Sequence, residues 1–177
     1  NIGVQPRLAS WPIWLTEGLA EYCASPVHDR KGNVTWNGLG MINALHMATI
    51  RDLEDPHAMQ VRTRQTQGSR TGRDPKKPLL ESLIRAEQLS PTDYALAWAL
   101  THYLALKRGD DFVKFLVDMS KVPPLEPRTP DDHVAEFRKA FGDDLAKLDK
   151  QVASYLAKLS KQKGYDLLPY YAGVFEQ

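Results

Sequence analysis

The chain has 177 residues, 42% hydrophobic and 25% charged, with a net charge of +1. That is enough chain for one domain with a core of its own, and the near-neutral balance argues against a nucleic-acid binder or a polyacidic tail. A single cysteine, Cys23, rules out an internal disulfide.

Residues 1–12 read as an irregular lead-in, broken by Pro6 and Pro12. The run from Ile13 to Ala24 has helix-compatible composition, and Pro26 ends it. Cys23, beside Tyr22 on this apolar helix, is expected to be a small buried hydrophobe. Residues 26–37 look like a loop, with a short strand compatible with Asn33–Trp36. Asn33-Val34-Thr35 fits the glycosylation pattern, a three-residue match of low specificity.

A second helix fits Leu39 to Leu53, stopped by Asp55-Pro56. Residues 61–77 then turn basic: Arg62, Arg64, Arg70, Arg73, Lys76 and Lys77 stand against Asp74 alone. This stretch reads as a solvated loop, with a loop bordering a substrate cleft as the alternative.

Leu79 to Ala86 suits a short helix. Ser90-Pro91 is a cap followed by proline at the first helical position, so a long helix should run through Lys107 and stop at Gly109. Asp110 or Asp111 opens the next. After the connector VPPLEPRTP, Thr129-Pro130 repeats the start signal, and a helix over about 131–140 should end at Gly142. Asp131-Asp132 and Asp143-Asp144 read as first-turn acids. The last helix begins near Asp143, with a stripe of Leu145, Leu148, Val152, Tyr155, Leu156 and Leu159, and ends at Gly164. The apolar tail YDLLPYYAGVF is expected to dock on the core. Helix follows helix with little period-two alternation, so the fold class is mainly α.

The chemistry concentrates in Trp11–Tyr22. On a helix, Leu15, Gly18, Leu19 and Tyr22 share one side, and Glu17, Ala20, Glu21 and Ala24 the other. A carboxylate inside so apolar a helix is costly unless it is paired or holds a metal. Gly18 costs the helix roughly 1 kcal/mol against alanine, which suits a close approach by a backbone or a ligand. From spacing alone, Glu17 is either such a functional acid or a solvated or ion-paired one, with Gly18 a packing glycine.

The run Trp14-Leu15-Thr16-Glu17-Gly18-Leu19-Ala20-Glu21-Tyr22 closely resembles the W-L-x-E-G-x-A-x-[YF] helix of the gluzincin zinc metallopeptidases. The resemblance implies that Glu17 is the third protein ligand of a zinc ion. The other two ligands in that family are the histidines of an upstream H-E-x-x-H helix, roughly 18–20 residues earlier. None of the 16 residues before Glu17 is a histidine. The histidines and the general-base glutamate are therefore expected before Asn1, in a longer protein, and the chain by itself is expected to be inactive and without zinc. Glu21, one turn after Glu17, could orient a zinc-binding histidine from behind or be a solvated acid.

A second stretch, Thr92 to Leu104, resembles the family helix Y-x-x-G-x-x-[VL]-x-x-x-L, whose tyrosine stabilises the oxyanion. That role falls to Tyr94, with His102 as the alternative donor; both also have a plain reading as core residues. Ala97 stands where the family has glycine, which weakens the transfer. The resemblance covers roughly residues 1–120 as the C-terminal helical half of the peptidase-like domain, and 121–177 is expected to be a helical extension packed on it. It implies a peptide or protein substrate and is compatible with a secreted or envelope location. The competing expectation is a non-catalytic helical domain that binds a peptide or protein partner. His28, His46, His57 and His133 show no metal-ligand spacing, and no apolar run reaches the roughly 18 residues that span a bilayer.

Overall fold

In a computed structural model, which describes residues 11–24, 27–28, 34–35, 40–54, 78–123 and 126–160, the protein is mainly α-helical. In chain order the elements are α1 (Ile13–Cys23), β1 (Val27–His28), β2 (Val34–Thr35), α2 (Ala44–Glu54), α3 (Leu79–Ile84), α4 (Pro91–Lys107), α5 (Gly109–Ser120), α6 (Pro130–Phe141) and α7 (Leu145–Leu159). β1 and β2 pair antiparallel, Val27 opposite Thr35. The basic stretch 61–77, His57 and the aromatic tail lie outside the described residues, as does Asn33 of the glycosylation-like triplet.

Helix α4 is the axis. Ser90 and Asp93 close a reciprocal capping box at its start, with Pro91 following the cap. Every residue from Ala95 to Leu104 is buried, as expected of a helix apolar all round. Helices α1, α2, α5 and α7 pack around it, and α3 touches α1, α4, α6 and α7. Gly109 opens α5 instead of only ending α4: Arg108, with φ −134° and ψ 38°, makes the bend alone.

Trp14 is fully buried among Phe115 of α5 and Phe137 of α6, with ring centroids 6.3 and 5.6 Å away. The indole Nε1 of Trp11 donates to the Met119 carbonyl at 3.1 Å, tying the start of α1 to the end of α5. Glu81, buried on α3, takes Arg85 at 3.1 Å and Arg138 of α6 at 3.4 Å. Asp149 of α7 accepts from the backbone N–H groups of Leu79 and Leu80, at 2.8 and 3.0 Å, so it caps the start of α3.

Two expectations need correction. Cys23 is exposed: α1 turns Trp14, Leu15 and Gly18 inward, and Cys23 falls on the side of Ala20, which faces solvent. Helix α2 begins at Ala44, not Leu39, because Gly40 takes a positive φ of 72° and the Asn43 side chain caps the His46 N–H at 3.1 Å.

Candidate functional site

The site is built where α1 crosses α4. A Cβ on Gly18 would lie 2.4 Å from Thr101 Oγ1 and 2.6 Å from the Ala97 carbonyl oxygen. Gly18 therefore lets the two helix backbones meet, one of the two uses its cost suggested. Ala97, found where the resembled helix has glycine, is fully buried at this same crossing and meets α1 through its carbonyl.

Further along both helices the Tyr22 and His102 rings pack edge-to-face, centroids 5.9 Å apart. Helices α1 and α4 thus run in the same general sense across the contact.

On the side facing α2, Glu21 meets His46. Their Oε2 and Nε2 atoms are 2.8 Å apart, and His46 is 8% exposed. The His46 ring also lies 5.7 Å from the Trp98 ring. Glu21 of α1 and Trp98 of α4 thus converge on one α2 residue. One helical turn earlier on the respective stripes are Glu17 and Tyr94, both half-buried. Each candidate thus stands one turn before a residue that touches His46. No local pattern singles out His46, because its partners are 25 and 52 positions away in the chain.

His102 sits deeper, 1% exposed. Its Nε2 lies 3.1 Å from the Gly40 carbonyl and its Nδ1 2.9 Å from the Tyr155 hydroxyl of α7. A neutral ring protonated at Nε2 satisfies both: it donates to Gly40 and accepts from Tyr155. Burial pushes the His102 pKa down, only partly offset by the Gly40 carbonyl. Burial raises the Tyr155 pKa to about 12, so the hydroxyl keeps its proton. Both ring nitrogens are thus engaged by the protein itself.

Among the described residues, no three His, Cys, Asp or Glu side chains gather as a metal site. Zinc needs three protein ligands, and of the expected set the chain carries only the Glu17 carboxylate.

The fold and this crossing define a helical domain organised around one buried central helix. The family model described as a protein of unknown function, DUF1570, matches residues 1–126, and the chain belongs to that family. The match takes in the crossing and the whole α1–α5 unit, and ends in the connector before α6. No curated protein and no solved structure is matched by the chain.

Proposed function

We propose that this chain is the C-terminal helical half of a gluzincin-type zinc metallopeptidase domain that hydrolyses peptide bonds, with Glu17 as the carboxylate ligand and Tyr94 as the oxyanion donor. The observation that carries the reading is the α1 motif itself: its glycine seats the helix against α4, and its glutamate stays half-buried on the stripe whose next acid engages His46. A zinc ion bound there would polarise a peptide carbonyl and activate a water. Tyr94 donates a hydrogen bond to the oxygen on which charge collects. Glu21 engages His46 and so ties α1 to α2.

A second reading, a metal-free domain of the same fold that holds a peptide or protein partner, is favoured by one observation. His102, the alternative proton donor, has both nitrogens tied up within the fold.

Zinc analysis separates the two. A chain extended upstream through the expected H-E-x-x-H helix should hold about one zinc, and Glu17→Ala should lose most of it, since one ligand of three is removed. Absence of zinc from the extended wild type would abandon the peptidase reading for the partner-binding one.

A further inference from the structure

A groove of about 990 Å³ opens between the C-terminal half of α4, the turn at Gly40 and helix α7. One wall is a single stripe of α7: Lys147, Lys150, Ser154 and Lys158 follow helical spacing, and all are exposed. Lys107 of α4 joins them, its Nζ 5.5 Å over the Tyr155 ring. The opposite side carries Met41 and Leu106, 44% and 52% exposed. The floor is His102 and Tyr155, fixed by their mutual hydrogen bond.

Among the described residues, no acid lines this groove. Among the described residues none of the four lysines forms an ion pair, whereas Arg85, Arg108, Lys121 and Arg128 all do. The one acid within α7, Asp149, is committed to the α3 backbone. Four like charges are thus gathered around one concavity with apolar side chains beside them.

We propose that this groove docks an extended acidic polypeptide segment, with its Asp and Glu side chains against the four lysines and its apolar side chains on Met41 and Leu106. From Lys147 to Lys158 the helix rises about 16 Å, the reach of roughly five residues of extended chain. Single-stranded nucleic acid suits the groove less well, because it binds through open aromatic faces. Here Tyr103 is buried, and Lys107 covers a face of Tyr155. The inference shares with the proposed function only the polypeptide nature of the partner, and stands whether or not Glu17 binds a metal.

The test is fluorescence anisotropy on the 177-residue chain, with a labelled peptide of alternating Glu and Leu, its Gln/Leu counterpart, and a labelled oligothymidylate. The acidic peptide should bind in a salt-sensitive manner, and the neutral one much more weakly. The double reversal Lys150→Glu with Lys158→Glu should weaken binding about tenfold or more, and the milder Lys150→Gln with Lys158→Gln by less. The same change of net charge elsewhere, Lys114→Glu with Lys139→Glu, should leave most of the binding. Failure of the acidic peptide to bind, or equal losses in the two reversed variants, would overturn the proposal. Tighter binding of oligothymidylate would overturn it in favour of nucleic acid.

Discussion

The Tyr155 hydroxyl and His102 Nδ1 are 2.9 Å apart, and this bond joins the last helix to the central one inside the core. His102 is 1% exposed, so its Nδ1 is poorly served by water once the hydroxyl is lost. Tyr155→Phe keeps the ring and leaves Nδ1 without a donor. The expected cost is about 1–3 kcal/mol, read from the midpoint of urea unfolding. An unchanged midpoint would mean that the bond contributes nothing.

The same histidine sets a direction with pH. Burial holds the folded pKa of His102 below its ordinary value, and that of His133 likewise. As pH falls through about 6.5, the unfolded chain takes up these protons before the folded one. The stabilisation from keeping both rings neutral is therefore present above that pH and lost below it. Urea midpoints should fall between about pH 7.5 and 5.5; a rise over that interval would contradict the assignment of neutral, buried rings.

Gly18→Ala pits helix propensity against contact. Alanine gains the helix up to about 1 kcal/mol, but the new Cβ meets Thr101 Oγ1 and the Ala97 carbonyl well inside contact distance. Contact wins, with a net loss of about 1–3 kcal/mol. Adding Thr101→Ala should recover only part of the loss, since the Ala97 carbonyl is backbone and stays. Full recovery would locate the whole conflict at the threonine.

Ser90→Ala opens the capping box of α4, and Thr129→Ala opens the matching box of α6. Each should cost about 1 kcal/mol, a drop in Tm of roughly 2–4 °C for a chain of this size. If Ser90→Ala alone proved neutral, the Pro91 start would be sufficient without its cap.

Much of the helical order was readable because its signals are local. Ser90-Pro91 and Thr129-Pro130 mark helix starts through side chains three residues from their targets, and both boxes form in the structure. Five residues of the stripe from Leu145 to Leu159 are buried as its spacing requires, and Tyr155 is half-buried. Gly109 misled because glycine ends helices and also permits a new start, and only the Arg108 torsions decide between them. Cys23 misled because composition gives no azimuth: one position beyond Tyr22 the helix has turned to solvent. The contacts at the crossing were half legible. Glu21 and His102 stand out by motif, while His46 and Tyr155 reach them only through contacts 25 and 53 residues long.

The Asp149 clasp on α3 bears on how the chain acquires its shape. A helix of six residues has too few internal bonds to persist by itself. The two amide groups at its start are met by a carboxylate 69 and 70 positions further on. During synthesis, α3 must therefore wait for α7 to emerge before it can settle, and the segments on either side of it are joined late. A chain cut short before Asp149 would lose a helix far from the cut.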